Sequence, residues 1–292
     1  SNTWKGLYKV ISESNAYLEN LEKSDLNEAS KTQFGGEAKF LRAVAYYNLV
    51  SLWGDVPLKT IASTSGDIST PRSPKEKVLE QVVKDLTDAL SIHETSEDGR
   101  ANSWAAKAFL GKVYYKMAKL GINSSENLEN AKKMFDDVYS HQRYQLEKNY
   151  ADLFGEWVTN SKESIFQLNF SLNSPSSFNR ASNRFSPTGS TPGVTWSTYL
   201  ATKASYDLHW GNYPNDPRIA ATFLTSHRDR GGNNKPNPKA QVGDTPSAND
   251  SVYYYPYLTY TVQTGTKMVD GKEVAVYDSI SVSYTHLTLP TT

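Results

Sequence analysis

The amino-acid sequence predicts a mainly α-helical protein, in which antiparallel helix pairs form a scaffold and an irregular, loop-rich half carries short strands. Three observations lead to this fold class. Apolar residues recur every three, four or seven positions through roughly the first half of the chain, which is the period of an amphipathic helix. One of these segments is apolar on nearly all sides. Beyond about residue 150 the chain becomes rich in Ser, Asn, Pro, Gly and aromatic residues.

The composition excludes several classes of function. The chain has 292 residues with 31 basic and 31 acidic side chains, so its formal net charge is zero. This balance argues against nucleic-acid binding and against a polybasic membrane-surface mode, because both need clustered positive charge. The absence of cysteine excludes disulfides, thiolate metal sites and cysteine nucleophiles. The length suits one large domain or two ordinary ones.

The first two helices are predicted from their apolar residues. A helix is expected over about residues 3–23, and the polar residues 24–34 are expected to form a loop. The next segment, EAKFLRAVAYYNLVSLWGDVPL (37–58), has no charged residue between Arg42 and Asp55. A helix this apolar must be covered on several sides, and at about 17 residues it is too short for a confident membrane span. The apolar face of the first helix consists of Trp4, Leu7, Tyr8, Ile11, Leu18 and Leu21.

A third helix is predicted after residues 60–73, which are rich in Ser, Thr, Gly and Pro and indicate an exposed connection. Ser73 is a candidate N-cap, Pro74 suits the first helical position, and Glu76 would complete a capping box. The apolar stripe of this helix is expected to comprise Leu79, Val82, Val83, Leu86 and Leu90.

The fourth and fifth predicted helices are similar to a tetratricopeptide repeat. The fourth runs from about Ser103 to a C-terminal Gly121, and the fifth covers about residues 126–140. The L-G-x-x-Y element of the repeat matches 110–114, and the A-x-x-x-F element matches 131–135. Small residues at these positions let two helices approach closely. The inward-facing residues of the fifth helix are expected to be Leu128, Ala131, Phe135 and Val138.

The remainder of the chain has weaker signals. Alternating apolar residues predict a half-buried strand at 163–171, and a second strand is expected at 251–261, interrupted by Pro256. Residues 172–217 are expected to be irregular, and a short helix should begin after Pro217. The expected organisation is a helical scaffold over 1–150, an aromatic-rich ligand-binding half of the same domain over 151–281, and a tail over 282–292. The tail resembles translated adapter sequence; the alternative is a real strand.

These segments together resemble the SusD/RagB family of outer-membrane nutrient-binding lipoproteins. The segment at 37–58 is similar to the family's most recognisable stretch, and Trp4 leading into LYKVI is similar to the helix that precedes it. SPKEKVLEQVVKDLTDAL and RANSWAAKAFLGKVYYKMA resemble the two helices that follow. KESIFQLNF and YPNDPRIAATF are similar to a later strand and turn. The likeness covers about residues 3–225 and is weak beyond them.

The resemblance implies a right-angled stack of helix pairs supporting a less regular ligand-binding half. It also implies a lipid-anchored protein exposed on the outside of a Gram-negative cell, acting as a lid over a SusC-type TonB-dependent transporter. The usual ligands of the family are oligosaccharides and polysaccharides, although some members handle peptides. This sequence lacks the family's lipid-bearing N-terminal cysteine and its C-terminal portion, so we expect a fragment without either terminus.

The sequence contains no recognisable catalytic or cofactor motif. There is no G-x-S-x-G element, phosphate-binding glycine loop or paired-histidine metal motif, so we expect neither a cofactor nor a metal. Asp/Glu pairs are inevitable among 31 carboxylates, so no glycosidase pair can be nominated. The charged residues of the recognisable segment are expected to be structural: Arg42 in the scaffold, Glu37 in a helix's first turn, and Asp55 ordering the turn before Pro57.

The candidate binding residues are aromatic. A sugar ring presents C–H groups on its faces and hydroxyls on its rim, so flat rings can contact the faces while polar side chains bind the rim. The alternative is that the same aromatics pin loops onto the helices. The candidate platform consists of Trp196, Tyr199, Tyr206, Trp210 and Tyr213, with Asn212, Asp216 and Arg218 as rim contacts.

The sequence therefore predicts a non-enzymatic glycan-binding protein that delivers oligosaccharides to an outer-membrane transporter. One alternative is a tetratricopeptide-like adaptor, which would bind peptides or proteins in a concave helical groove. A second alternative, a glycosidase, would need two carboxylates facing across a cleft.

Overall fold

The computed structural model describes residues 2–62, 69–95, 99–154, 161–168, 184–185, 199, 201–224, 226–228, 251–253, 259–269, 272–281 and 284–287. The chain divides into two units. The first, which we call the helical unit, comprises Ser1–Leu146 with Lys162–Asn169, and the second comprises Glu147–Ser161 with Phe170–Thr292. The described residues are mainly helical, so the predicted fold class is confirmed. No helix among them is both long enough and apolar enough to cross a bilayer.

The helical unit consists of five helices, and each packs against the next in the chain. The connections from the first to the second helix and from the fourth to the fifth are short, as expected for antiparallel pairs, whereas those on either side of the third helix are longer. The core lies on α2, where Phe40, Tyr46 and Leu49 are almost fully buried, as its apolar character predicts. The helices are α1 (Asn2–Glu22), α2 (Glu28–Trp53), α3 (Lys75–Ala89), α4 (Ser103–Lys119) and α5 (Ser124–Ser140).

Helix α2 begins earlier than predicted. The sequence predicts a loop over residues 24–34, but the helix starts at Glu28, because the Asn27 side chain caps it by accepting a hydrogen bond from the Ser30 N–H at 2.9 Å. Gly36 lies within the early turns and allows α2 to approach α3 closely. A Cβ atom on Gly36 would lie 2.1 Å from Cγ2 of Ile92.

This early start changes the role of Glu37. Glu37 was predicted to lie in the first turn of a helix, where the helix dipole favours a carboxylate. It lies instead nine positions after Glu28, the first residue of α2. Its carboxylate instead pairs with the Arg100 guanidinium and accepts a hydrogen bond from Gln33 Nε2 at 2.6 Å. The prediction for Glu37 was wrong because the polar start of α2 hides its helical character. Arg42 is buried in the scaffold, as expected.

The start of α3 is capped from a distance. The predicted N-cap, Ser73, lies before the helix, and its backbone N–H donates to the carbonyl of Val56 at 3.0 Å. Pro74 occupies the cap position without a side-chain hydrogen bond. The Asp55 carboxylate instead accepts from the N–H of Lys75 at 2.9 Å. The prediction of a local capping box was therefore wrong. The hydrogen bond from Lys75 to Asp55 instead connects the start of α3 to the end of α2.

The segment after α2 is fastened to the helices through its backbone. The side-chain amide of Asn15 donates to the carbonyl of Lys59 at 3.1 Å and to that of Ile61 at 2.8 Å. The Tyr46 hydroxyl donates to the Lys59 carbonyl and accepts from its N–H. The N–H of Ala62 donates to Glu19 Oε1 at 2.6 Å. This chain of hydrogen bonds holds the segment against α1 and α2.

The α4–α5 pair has the close approach that its small residues predict. A Cβ atom on Gly111 would lie 2.8 Å from Cε1 of Phe135, so a larger residue here would push the Phe135 ring aside. Gly121 follows the end of α4 with a φ of +80°, as predicted for a C-terminal glycine. The prediction that Leu128 and Phe135 face inward was wrong, because they are 48% and 43% exposed, whereas Ala131 and Val138 are buried as expected.

The strand predicted at 163–171 is absent from its described part. Residues 161–168 form turns and irregular structure, and residues 169–171 lie outside the described ranges. The ring of Phe166 packs edge-on against Phe40, with centroids 5.0 Å apart. A contact with the core of the helical unit has therefore replaced strand pairing.

The second unit combines short helices with small sheets. A 3₁₀ turn is followed by two helices, and the second begins after Pro217 as predicted. Residues 254–258, which include Pro256, lie outside the described ranges. The elements are the 3₁₀ turn (Tyr150–Phe154), β1 (Ala201–Thr202), α6 (Lys203–Asn212), α7 (Arg218–Thr222), β2 (Phe223–Leu224), β3 (Ser226–Arg228), β4 (Ser251–Tyr253), β5 (Thr259–Val269), β6 (Lys272–Ser281) and β7 (Tyr284–Leu287).

Among the described residues of the second unit, every strand pair is antiparallel. Strand β7 lies between β1 and β2, β3 pairs with β4, and β5 forms a long ladder with β6 that carries an irregularity between Gln263 and Gly265. The register of β7 places Thr285 opposite Ala201 and Leu287 opposite Phe223. Part of the predicted tail is thus a strand; its origin stays a prediction.

Candidate functional site

Most of the candidate binding residues lie on or just after α6. The sequence predicts an irregular segment at 172–217, but residues 203–212 are helical. The helix is capped at its start because Thr202 Oγ1 accepts a hydrogen bond from the N–H of Ser205 at 3.1 Å. It ends at Tyr213, whose N–H donates to the carbonyl of His209 at 2.9 Å. The prediction of an irregular segment was therefore wrong here.

One side of α6 is buried. Tyr206 is only 6% exposed and packs with Ala201, Ile219 and Phe223 in a small apolar cluster. Its ring meets that of Phe223 edge-on, with centroids 5.3 Å apart. A ring in this position cannot present a face to a ligand, so Tyr206 has the packing role that the sequence analysis left as the alternative.

The other aromatic residues of the set are accessible. Trp210 is 49% exposed and Tyr213 is 61% exposed. The Trp210 indole is nearly parallel to the Tyr206 ring, with an interplanar angle of 8° and centroids 6.2 Å apart. The buried tyrosine therefore fixes the orientation of the exposed tryptophan. Tyr199 is also exposed, and its ring lies 5.3 Å from that of Phe185.

A charged pair follows α6. The Arg218 Nε lies 2.9 Å from both carboxylate oxygens of Asp216, and the Arg218 N–H donates to Oδ1 at 2.9 Å. These hydrogen bonds hold the pKa of Asp216 well below its usual range and raise the pKa of Arg218. The N–H of Asp216 donates to the carbonyl of Tyr213 at 3.0 Å, so the pair lies next to the exposed aromatic residues.

His209 connects the charged pair with the apolar cluster. Its Nε2 atom is buried without a hydrogen bond and lies 3.7 Å from Oδ2 of Asp216. Its ring also meets Tyr213 and Phe223 edge-on, with centroids 6.4 and 5.8 Å away. Sequence reasoning did not select His209 or Phe223. The i, i+3 and i, i+4 spacings of Tyr206, His209 and Tyr213 could have indicated that they share a helix face.

The structure therefore brings together most, but not all, of the predicted set. Asn212 is exposed at the end of α6, close to the exposed rings in sequence. Trp196 lies outside the described residues. The described part of the chain holds no group of three or more His, Asp and Glu side chains that could bind a metal ion. An exposed aromatic pair beside a fixed carboxylate–guanidinium pair can offer a flat apolar contact and polar contacts at its edge.

The helical unit matches the model of a known protein family. Residues 1–115 match the SusD-like family described as starch-binding and associating with the outer membrane. A SusD-like protein from Bacteroides ovatus is 33% identical over 180 residues, which are 58% of this chain and 32% of that protein. The chain thus spans about a third of the length of this curated relative.

Solved structures extend the likeness to the fold. A crystal structure described as determined with a xylogluco-oligosaccharide has a TM-score of 0.65 and 29% identity, covering 76% of this chain and 46% of that one. A SusD superfamily protein from Parabacteroides distasonis has a TM-score of 0.71 and 24% identity, covering 84% and 51% of the two chains, and its likeness concerns the fold alone. The family model, the curated relative and the solved structures agree in making this chain similar to SusD-like proteins.

Proposed function

We propose that this chain is part of a non-enzymatic, cell-surface protein that binds glycans and delivers oligosaccharides to a SusC-type TonB-dependent transporter. The observation that carries glycan binding is the exposed Trp210 indole, which stacks parallel to the buried Tyr206 ring. A fixed, half-exposed indole offers a flat apolar surface without a further loss of side-chain entropy on binding.

The polar neighbours suit the rim of a sugar. Asp216 supplies carboxylate oxygens and Arg218 supplies N–H donors, and each orients the other through hydrogen bonds of 2.9 Å. Hydroxyl groups of a sugar donate and accept hydrogen bonds, so a matched carboxylate–guanidinium pair can serve both needs. Tyr213 and Asn212 add an exposed ring and an exposed amide beside this pair.

The relative determined with a xylogluco-oligosaccharide supports neutral glucans as the ligand class. This chain covers 46% of that relative, so a neutral glucan is a proposed ligand for this chain. A branched neutral glucan suits an open aromatic surface, because its binding depends on the faces of several rings and not on one enclosed pocket.

A binding role without catalysis is consistent with the state of Asp216. Glycoside hydrolysis needs one carboxyl group that can donate a proton and a second one across the scissile bond. Arg218 holds the pKa of Asp216 far below that of a proton donor at neutral pH. This carboxylate is therefore suited to accepting hydrogen bonds from a ligand and not to acid catalysis.

Delivery to a transporter follows from the family, which is described as associating with the outer membrane. The proposed protein is anchored by a lipid and exposed at the cell surface. Purification of the full-length tagged protein from outer membranes in mild detergent should recover a TonB-dependent transporter, identified by mass spectrometry. Recovery of the protein alone under conditions that preserve a known pair of this family would contradict the partnership.

Affinity electrophoresis tests the glycan site. The full chain should be retarded in gels containing a neutral glucan such as xyloglucan. Trp210→Ala should weaken retention about tenfold, or about 1.4 kcal/mol, and Trp210→Phe should weaken it less because a ring remains. Tyr139→Ala is a suitable control, because Tyr139 is 87% exposed and lies in α5 of the other unit.

The outcomes separate the candidate functions. Equal retention of Trp210→Ala and the wild-type chain would overturn the platform. Hydrolysis of the glucan by the wild-type chain would overturn the non-enzymatic function. Binding of peptides without any glycan would favour the adaptor.

A further inference from the structure

A separate cavity lies in the helical unit, between α1 and α2. Its volume is about 540 Å³, within the range of about 300–1,000 Å³ that is typical of small-molecule sites. The cavity is lined by residues from both helices and by Arg100, which precedes α4. It shares no lining residue with the aromatic set around Trp210.

The shape of the cavity comes from small residues at its base. Ser14 of α1 and Ala38 of α2 both line it and are only 6% and 7% exposed. Tyr17 and Leu41 also line it but are 45% and 43% exposed, so larger side chains form its outer walls. The cavity therefore has small side chains at its base and larger ones at its mouth, and Tyr17 gives it an aromatic wall.

One wall carries polar groups that are already oriented. The Arg100 guanidinium pairs with the Glu37 carboxylate, and its Nε lies 3.3 Å from Oε1. The guanidinium also lies over the ring of Phe34, 5.7 Å from its centroid. Gln33 Nε2 donates to the same carboxylate at 2.6 Å. These contacts fix the position of the charged groups before any ligand arrives, which lowers the entropic cost of binding.

The charge of the cavity restricts its ligands. Two carboxylates, those of Glu13 and Glu37, line it against the single guanidinium of Arg100. This balance disfavours anionic ligands, including an acidic peptide or a peptide C-terminus. A cationic ligand would find only Glu13 outside the existing ion pair, and that side chain is exposed to solvent. A neutral ligand with hydroxyl groups meets an aromatic wall and both donors and acceptors.

We infer that this cavity is a second carbohydrate-binding site, which holds a sugar residue of a neutral oligosaccharide against Tyr17. Asn20 and the Glu37–Arg100 pair supply the polar contacts to its hydroxyls. The inference rests on the proposed function for its ligand class alone, because the residues of the two sites lie in different units.

Native mass spectrometry of the full chain with saturating xylogluco-oligosaccharide tests the inference. The wild-type chain should bind two oligosaccharides. Tyr17→Ala should bind one, and Ala16→Trp, which places a large ring at the lining without removing a core side chain, should also bind one. Trp210→Ala should bind one, and its combination with Tyr17→Ala should bind none. Tyr139→Ala should behave as the wild type does.

Failure of this inference differs from failure of the proposed function. If the wild-type chain binds one oligosaccharide and only Trp210→Ala abolishes binding, the cavity is not a site and the platform stands. If only the Tyr17 and Ala16 variants lose binding, the platform is wrong and the cavity stands. Absence of any binding overturns both. Circular dichroism of each variant verifies folding, and Ala16→Trp keeps the test valid if Tyr17→Ala is unstable.

Discussion

Arg42 on α2 and Asp85 on α3 form a buried ion pair through two parallel hydrogen bonds. The Arg42 Nε donates to Oδ2 at 2.8 Å and Nη2 donates to Oδ1 at 2.7 Å, while both side chains are at most 5% exposed. The third nitrogen, Nη1, donates to Oδ1 of Asn15 at 2.7 Å, so α1 joins the same network. One guanidinium thus connects three consecutive helices.

Removal of one partner of this pair should destabilise the helical unit strongly. Asp85→Ala leaves the Arg42 charge buried without its counter-ion, and we expect a loss of about 3–5 kcal/mol in the free energy of unfolding. Urea unfolding followed by circular dichroism measures the change. The control is Asp88→Ala, which breaks the half-exposed pair with Lys39 and should cost at most about 1 kcal/mol. Equal losses in the two variants would contradict the assignment.

Two glycines in helices should respond to alanine in opposite directions. Gly36→Ala places a Cβ atom 2.1 Å from Cγ2 of the buried Ile92, just after α3, so the Ile92 side chain must shift, at a cost of about 1–3 kcal/mol. Gly6→Ala in α1 meets nothing within 4 Å and should stabilise the chain by about 0.5–1 kcal/mol, because alanine favours the helix. Differential scanning calorimetry should show melting temperatures shifted in opposite directions. Stabilisation by both substitutions would refute the close packing at Gly36.

Alkaline pH should destabilise the helical unit through Tyr46. Burial raises the pKa of Tyr46 to about 12, because a phenolate would be desolvated there. A raised pKa in the folded state stabilises the fold below the ordinary value of about 10, and this contribution is lost as the pH rises from about 10 to 12. The expected loss is on the order of 2–3 kcal/mol.

The variant Tyr46→Phe isolates this effect. Its free energy of unfolding should depend less on pH between 10 and 12 than that of the wild-type chain. Some dependence should remain, because burial also raises the pKa of Tyr8. Urea unfolding at several alkaline pH values provides the comparison, and identical pH dependence in the two proteins would disprove the role of Tyr46.

The Asp216 carboxyl should remain ionised in acid for as long as Arg218 is present. Its depressed pKa favours the folded state above the ordinary value of about 3.9, and this contribution fades as the pH falls below that value. In Arg218→Gln the pKa of Asp216 should rise towards about 3.9. Carbon-13 NMR of the aspartate side chains between pH 2 and 5 can follow it. Arg143→Gln serves as the control, and an unchanged Asp216 titration in Arg218→Gln would contradict the pairing.

Local sequence signals predicted the helices well. The apolar spacing that begins at Trp4 predicted α1 within a residue at each end. Gly121 adopts the positive φ that a helix C-terminus requires. Gly111 and Phe135, taken from a repeat pattern, lie in contact across the α4–α5 crossing. These features could be predicted because their cause lies within a few turns of the same helix or in one adjacent helix pair.

Long-range contacts account for two of the predictions that failed. The cap of α3 comes from Asp55, 20 residues before the Lys75 N–H that it accepts from. Phe166 occurs in an alternating pattern typical of a strand, but it packs against Phe40, more than 120 residues earlier in the sequence. No local pattern of residues contains these partners.

In the candidate site, too, local features could be predicted from the sequence and long-range contacts could not. Sequence composition selected Tyr206 and Trp210 together, since both are aromatic residues in a polar segment. Their different exposures depend on which side of α6 meets Phe223, and that contact depends on the course of the chain between them. The set as a glycan platform remains a prediction, and the experiments on Trp210 address it.

The connection between α2 and α3 can accept added sequence. On one flank, the Ala62 N–H is tied to Glu19, and on the other, the Ser73 N–H is tied to the carbonyl of Val56. Residues 63–72 therefore begin and end at anchored positions. The entropic cost of closing a longer loop grows only with the logarithm of its length. A fluorescent tag or an epitope inserted there should therefore leave the packing of the helices intact.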